Sequence, residues 1–205
     1  MSGCCDGGCS ANAMRDKRQC GTLKIVLLIN ACMFVAVVAA ALLSKSTALL
    51  ADSLDNLGDA LTYGLSLYAV SRGARLKAQV ALFKGALILA AALFVAGQII
   101  YRIWVPSVPT YELMGVFSLL GLVANSTCLA LLWRHRNEDV NMSSVWECSR
   151  NDIASNLSVF IAAAAVWLTG SGWPDIFVAM CLVVLLLRSA FRVLSSALKE
   201  LQQAS

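Results

Sequence analysis

The chain has 205 residues, of which 59% are hydrophobic and 14% are charged, and its mean hydropathy is +0.74. Soluble domains are nearer half apolar and a quarter charged, so this composition excludes an ordinary cytosolic enzyme and a disordered chain. The net charge of +4 is small and scattered, which also excludes a surface that follows nucleic-acid phosphates. The class that remains is a membrane protein, whose solvent is the bilayer.

Six long apolar segments follow one another along the chain, each close to the ~20 residues that a helix needs to cross a bilayer. They are much longer than the alternating strands of a membrane barrel, so the sequence predicts an all-α bundle of six transmembrane helices. Short polar connectors separate them. The predicted spans are residues 22–43, 46–71, 80–101, 111–133, 143–169 and 173–197.

The basic residues of the connectors predict the orientation of the bundle, because short loops rich in Lys and Arg stay in the cytoplasm. One side of the predicted bundle holds only Lys45 and Arg102. The other side collects Arg15, Lys17, Arg18, Arg72, Arg75, Lys77, Arg134, Arg136, Arg192 and Lys199.

We therefore expect both termini in the cytoplasm. The predicted regions are a Cys-containing cytoplasmic tail at residues 1–21, a six-helix transmembrane domain at 22–198 and a short cytoplasmic tail at 199–205. A cleaved signal peptide is the alternative for the N-terminus. The first apolar stretch is longer than the roughly 7–15 apolar residues of such a peptide, which favours a retained helix.

The second predicted span contains Asp52, Asp55 and Asp59, although ionisable residues inside a membrane are costly. At 100° per residue the three acids share one helix face with Asn56. The span contains no basic residue that neutralises them. This pattern favours an ion or proton path; the alternative is a set of protonated acids bonded to neighbouring helices, or a stripe lining a water-filled crevice.

The fifth predicted span carries Cys148 and Asp152, which are four residues apart and share a face. With cytoplasmic termini, the second span runs toward the cytoplasm and the fifth runs away from it. At 1.5 Å per residue, Asp55 and Asp152 both lie about 14 Å from the ends of their spans. Asp59 and Cys148 are both displaced toward the cytoplasm. Antiparallel packing of these helices predicts a cage of four ligands.

Three carboxylates and one thiolate suit a tetrahedral divalent cation such as Zn²⁺, and the sulfur extends tolerance to softer Cd²⁺. An octahedral, all-oxygen ion such as Mg²⁺ fits less well. We expect this metal to be cargo and expect no prosthetic group. A buried site cannot keep four negative groups without a cation, so we also expect protons to replace the metal when it leaves.

Two segments resemble the cation diffusion facilitator family. STALLADSLDNLGD, residues 46–59, resembles its second-helix signature, S-L-A-L-L-A-D-x-x-H-N-x-x-D. DVNMSSVWECSRNDIASN, residues 139–156, resembles the segment leading into its fifth helix, where an H-x-x-x-D pair lies. The resemblance extends from residue 22 to about residue 198. It implies a six-helix antiporter in the bacterial inner membrane, generally a homodimer, that exports Zn²⁺ or a related divalent ion such as Co²⁺, Pb²⁺ or Hg²⁺ in exchange for protons.

Carried over by position, the family's transport ligands fall on Asp55, Asp59, Cys148 and Asp152. Asp52 matches an earlier acid of the signature that is not normally a ligand, and we keep it as an accessory candidate. Asp55 and Cys148 replace the two histidines of the pattern, so the resemblance does not specify the metal. The chain stops at Ser205, from which we expect a short form without a C-terminal cytoplasmic domain and a homodimer held by membrane helices alone.

Three cysteines near the N-terminus, Cys4, Cys5 and Cys9, form a candidate accessory site for a thiophilic ion together with Asp6. The alternative is a tail whose cysteines bind nothing. Two other functions are alternatives to metal export. A membrane thiol oxidoreductase needs closely spaced Cys pairs near the non-cytoplasmic surface, which this sequence lacks. An intramembrane aspartyl protease needs two catalytic Asp on separate helices in a Gly-containing context that does not occur here. We therefore predict a transporter and not an enzyme.

Overall fold

The computed structural model describes residues 6–69, 74–133 and 140–203, without the side chains of residues 6–20, 65–66, 68–69, 74–78, 80, 140–148, 200 and 203. Within these ranges all regular structure is helical, which confirms the all-α prediction. The helices are α1 (Asp6–Ser44), α2 (Thr47–Ala69), α3 (Ala74–Trp104), α4 (Tyr111–Trp133), α5 (Val140–Thr169) and α6 (Trp173–Gln203).

Several helices are longer than the predicted spans. α1 begins at Asp6 and so extends well before the predicted start at residue 22, since no proline interrupts it. Its end is marked by Lys45, which has a φ of 58°, and the end of α5 by Gly170, which has a φ of 62°. Such left-handed residues commonly terminate a helix. Pro106 and Pro109 separate α3 from α4, because proline lacks the N–H that a continuing helix needs.

Four of the helices form a closed ring. α1 packs extensively on α2, and α4 on α5, while contacts of α1 with α4 and of α2 with α5 close the ring. The remaining helices, α3 and α6, pack on each other, and both contact α2. α6 also contacts α5. α2 therefore contacts four of the other helices.

The bundle exposes large apolar side chains on its outside and buries polar ones inside, as expected for a protein surrounded by lipid. α4 buries Met114, Ser118, Gly121, Asn125, Cys128 and Leu132, so its inward face combines polar and apolar side chains. Large apolar side chains such as Leu119 and Val123 lie exposed on its outer face. Within the described residues, five of the six helices are long and apolar enough to cross a membrane. The described part of α2 is the exception, because three acids interrupt its apolar sequence.

The two ends of the bundle have separate apolar cores. We call the end that contains residues 45–46, 105–110 and 170–172 the connector face, and the opposite end the terminus face. Near the connector face a large core is built around side chains such as Val37, Leu49, Met114 and Val159. Near the terminus face a smaller core contains Leu23, Val26, Tyr63, Cys128 and Leu132. Buried polar side chains of the ring helices lie between the two cores.

The connector face is held together by Asp175 of α6, which caps a different helix, α2. Its carboxylate accepts hydrogen bonds from Ser46 Oγ (2.5 Å), Thr47 Oγ1 (2.7 Å), Thr47 N (2.8 Å) and Ala48 N (3.1 Å). The first N–H groups of a helix have no partner within the helix and carry partial positive charge, so a carboxylate is stabilising there. This contact anchors the start of α2 to α6.

Replacing Asp175 with Ala should destabilise the fold, because it leaves two backbone N–H groups and two hydroxyls buried without an acceptor. We expect a loss of about 2 kcal/mol in the free energy of unfolding, or roughly 4–8 °C in the unfolding midpoint. Tryptophan fluorescence of the detergent-purified protein during heating measures it. The comparison is Glu112→Ala, which removes an exposed acid from the first turn of α4 and should lower the midpoint much less, by the equivalent of less than about 1 kcal/mol. Equal midpoints for the two variants would contradict the capping role.

Candidate metal site

The acidic stripe of α2 faces α5, as the sequence predicts. Asp55 is hydrogen-bonded to Ser155, Asp59 to the carboxyl group of Asp152, and the Tyr63 hydroxyl lies 3.4 Å from Ser149 Oγ. Successive turns of α2 thus meet successive turns of α5 in the opposite direction. The antiparallel apposition of these two helices, which was inferred from matching depths, is present in the structure.

Two of the predicted ligands are in direct contact across this interface. Asp59 and Asp152 are each only 7% exposed, and their carboxyl groups share a hydrogen bond. Two buried carboxylates in contact repel each other, so either a proton or a cation between them stabilises the pair. The second oxygen of Asp152, Oδ2, is buried and has no hydrogen-bond partner. Asp55 is half-buried beside them, and the Asp59 charge acts on it.

The remaining predicted ligands are described less completely. Cys148 lies in α5 one turn before Asp152, but its side chain is outside the described set, so its position relative to the three acids stays a prediction. Cys4 and Cys5 lie outside the described residues, and Cys9 is described only as part of the α1 backbone. Among the described side chains, no group of three or more His, Cys, Asp or Glu is arranged to hold a metal ion.

Tyr63 is a member of the site that sequence reasoning missed. Its side chain is fully buried in the core near the terminus face, and its hydroxyl donates a 2.6 Å hydrogen bond to Asp59 Oδ2. Extending the four-residue spacing of the acids by one more turn would have reached this position. Tyr63 therefore orients the Asp59 carboxylate and separates it from the terminus face.

Each helix of the ring has one buried asparagine among its described side chains. Asn30 of α1 donates to Cys128 Sγ at 3.9 Å, and Asn156 of α5 donates to the backbone carbonyl of Asp152 at 2.8 Å. Asn56 of α2 donates to the carbonyl of Asp52 at 3.2 Å, and Asn125 lies on the inward face of α4. All four are at most 2% exposed, and each has an Oδ1 without a partner.

Gly121 allows α4 to approach α5 closely beside Asn156. A Cβ at position 121 would lie 1.8 Å from Asn156 Oδ1, which no side chain could tolerate without a shift. The absence of a side chain is thus what lets the Asn156 carboxamide lie between α4 and α5. The sequence offers no signal for this role, because it depends on which helix faces Gly121.

Comparison with known proteins identifies the class to which this helical bundle belongs. Residues 23–202 match the family model of the cation efflux transmembrane domain, so the chain belongs to the cation efflux family. This result confirms the family inferred from the two motifs. Together with the apolar helices it makes the chain an integral membrane protein.

Two bacterial proteins illustrate the similarity. The metal cation efflux system protein CzcD of Cupriavidus metallidurans is 26% identical over 192 residues, which cover 88% of this chain and 61% of that protein. The zinc transporter ZitB of Yersinia pestis is 27% identical over 180 residues, which cover 80% of this chain and 56% of that protein. The chain thus spans about three fifths of the length of these relatives. Both relatives come from bacteria, which agrees with the predicted location in a bacterial plasma membrane.

Gly121→Ala should weaken the packing of α4 on α5, because the added methyl group displaces the Asn156 carboxamide. We expect the unfolding midpoint to fall by several degrees, equivalent to about 1–3 kcal/mol. Gly115→Ala in the same helix is a matched control, since a Cβ there meets nothing within 4 Å. That variant should keep or slightly raise the midpoint, because alanine favours a helix more than glycine does. Equal effects of the two changes would contradict the close approach.

Tyr63→Phe should weaken metal binding while leaving the fold intact, because the ring still fills its core and only the hydroxyl that orients Asp59 is lost. Hydrogen bonds to ligating carboxylates typically contribute 10–100-fold to metal affinity, so we expect a decrease of about tenfold or more in Cd²⁺ affinity by equilibrium dialysis. The control Tyr101→Phe removes a hydroxyl from an exposed tyrosine and should bind normally. An unchanged affinity in Tyr63→Phe would mean that Asp59 needs no orienting donor.

Proposed function

We propose that this protein exports divalent metal cations from the cytoplasm in exchange for protons, with Zn²⁺ and Cd²⁺ as the first candidates and Co²⁺, Pb²⁺ and Hg²⁺ as further ones. The observation that carries the proposal is the buried contact between the carboxyl groups of Asp59 and Asp152 at the interface of α2 and α5. Ionisable groups at such a depth typically mark ion or proton pathways in membrane proteins. Membership in the cation efflux family favours this activity over a thiol oxidoreductase.

The proposed ligands are Asp55, Asp59, Cys148 and Asp152. They come as two pairs, each spaced by four residues on one helix, so each pair projects from a single helix face. α2 and α5 contact each other directly, which supports placing the two pairs at the same interface. Two pairs on facing helices can surround a tetrahedral ion, and the thiolate of Cys148 would add affinity for softer metals.

The contact between the carboxyl groups of Asp59 and Asp152 supports proton coupling. Two carboxylates in contact at low dielectric repel each other strongly, and either a proton or a cation between them relieves that repulsion. A divalent ion that binds both oxygens must displace the proton, and a proton that returns weakens the hold on the ion. The same two groups thus alternate between metal and protons, which is the requirement for antiport.

The orientation and the assembly are also parts of this proposal. The excess of Lys and Arg near the terminus face favours a cytoplasmic location for that face, so metal would enter there and leave at the connector face. The lipid-facing surface carries many exposed apolar side chains, and we propose that a homodimer forms through such membrane helices.

Transport by the full chain in liposomes tests the proposal. Zn²⁺ added outside should enter, as reported by a trapped zinc dye, and protons should move the opposite way, as reported by a pH dye. Asp59→Asn and Asp152→Asn should each lower the zinc flux at least tenfold, because an amide keeps the size of the side chain but removes the charge that attracts the ion. The control is Glu112→Gln, which removes an exposed acid outside the site and should transport normally.

Two results would contradict different parts of the proposal. Near-normal zinc flux in both aspartate variants would reject the ligand assignment. Zinc flux at an undiminished rate without proton movement, and without dependence on the pH gradient, would reject antiport and leave a uniporter.

A further inference from the structure

The connector face contains a cavity with a volume of about 320 Å³. Its walls come from the end of α3, the first turn of α6 and the two connections at residues 105–110 and 170–172. These connections lie against each other, because a Cβ at Gly172 would be 2.4 Å from Ser107 O. Ligand cavities in proteins typically start at about 300 Å³, so this one has room for a small ligand or for the headgroup of a larger one.

Arg102 is the charged residue among those that line the cavity. Its Nη1 donates to Ser107 Oγ, while its Nε is buried without a hydrogen-bond partner in the described part of the chain. The described lining contains no acid, and the nearby Asp175 directs its carboxylate to the start of α2. Arginine stays protonated in proteins, so loss of a proton cannot relieve this partly desolvated charge. An anion in the cavity would compensate it.

The surroundings of the cavity are those of a membrane surface. Trp104 and Trp173, at the ends of α3 and α6 that border the cavity, are 82% and 62% exposed. Exposed tryptophans of membrane proteins typically lie at the level of the lipid headgroups. Ile103 and Val108 line the cavity and are also exposed, and Phe177 continues this apolar surface along α6. A ligand here therefore meets a cation on one side and an apolar, lipid-facing surface on the other.

We propose that this cavity, which we call the headgroup cavity, binds the headgroup of an anionic phospholipid of the phosphatidylglycerol type. Arg102 pairs with the phosphate through charge-assisted hydrogen bonds, for which a guanidinium group is well suited. The hydroxyls of Ser107 and Ser171 line the cavity and can bond the hydroxyls of the glycerol headgroup. The acyl chains lie on the exposed apolar surface of α3 and α6. A zwitterionic lipid fits less well, because the described lining offers no acid to its ammonium group.

A lipid in the headgroup cavity would join two connections that are distant in sequence. Ser107 belongs to the connection between α3 and α4, and Ser171 to the connection between α5 and α6. The bound lipid should therefore hold the connector face closed, as the Asp175 cap does on α2. A ligand that binds only the folded state stabilises it, so phosphatidylglycerol should raise the unfolding midpoint of the detergent-purified chain.

Native mass spectrometry of the detergent-purified full chain tests the proposal, because the ratio of lipid-bound to lipid-free protein gives a dissociation constant. The probes are phosphatidylglycerol, phosphatidylcholine with the same acyl chains, and soluble glycerol phosphate. We expect phosphatidylglycerol to bind most tightly, since phosphatidylcholine brings an unpaired ammonium group and glycerol phosphate lacks the acyl chains.

The variants separate the role of Arg102 from the general charge of this face. Arg102→Gln should weaken phosphatidylglycerol binding by about tenfold, because the charge-assisted hydrogen bonds to the phosphate are lost. The control Lys45→Gln removes an exposed positive charge from the same face, outside the cavity, and should weaken binding much less. Val108→Arg adds a second cation at an exposed lining position and should strengthen binding by about fivefold, which a damaged fold cannot do.

Three results would overturn the proposal. The first is that Arg102→Gln binds phosphatidylglycerol as tightly as the wild type does. The second is that phosphatidylcholine binds as tightly as phosphatidylglycerol. The third is that glycerol phosphate binds as tightly as the lipid, which would identify a site for a soluble anion. These measurements involve no metal and no transport, so their outcome is independent of the proposed export.

Discussion

The contact between α2 and α5 is the constraint on which the rest of the structure depends. A helix with three acids cannot face hydrocarbon, because each ionisable group at that depth costs a few kcal/mol or more. α2 therefore has to be surrounded by protein, and it contacts α1, α3, α5 and α6. Its acids face α5, where the Asp59 and Asp152 carboxyl groups share a hydrogen bond. The six-helix arrangement follows from enclosing this one polar helix.

The two ends of the bundle differ in how firmly they are closed. The connector face has a large apolar core and the Asp175 cap. Its connections are also in contact, since Thr110 N donates to Ser44 O at 3.0 Å and a Cβ at Gly172 would lie 2.4 Å from Ser107 O. At the terminus face the core is smaller, and Tyr63 is its polar member, bonded to Asp59. The acids are thus separated from the connector face by more packed side chains than from the terminus face. In the proposed cycle, opening toward the connector face must separate Leu49 and Met114, while opening toward the terminus face must displace Tyr63.

The part of the site that depends on local helix geometry could be predicted from the sequence, and the part that depends on tertiary contacts could not. Asp55, Asp59 and Asp152 were found because a four-residue spacing places side chains on one face whatever surrounds the helix. The depth argument reached the apposition of α2 and α5, because chain direction and rise per residue are enough for it. The roles of Gly121 and Asp175 could not be predicted. A glycine that makes room for Asn156 and an acid that caps another helix can be recognised only when the partner helix is known. Tyr63 is an intermediate case. It follows Asp59 by four residues, which the sequence shows, but nothing in the sequence indicates that this tyrosine is buried and bonded to the acid.

The distribution of charge inside the ring explains why asparagine recurs there. A site that holds a divalent ion needs carboxylates, but every added carboxylate raises the affinity for the ion and so slows its release. Binding must be strong enough for entry and weak enough for release. Carboxamides supply oxygen ligands without net charge, and one lies on each ring helix at Asn30, Asn56, Asn125 and Asn156. Each of these carboxamides leaves one buried oxygen unpaired, so it offers an acceptor without adding charge to the ring interior. Substituting acids for these asparagines would increase affinity and slow release, which is why a transporter benefits from neutral ligands beside its charged ones.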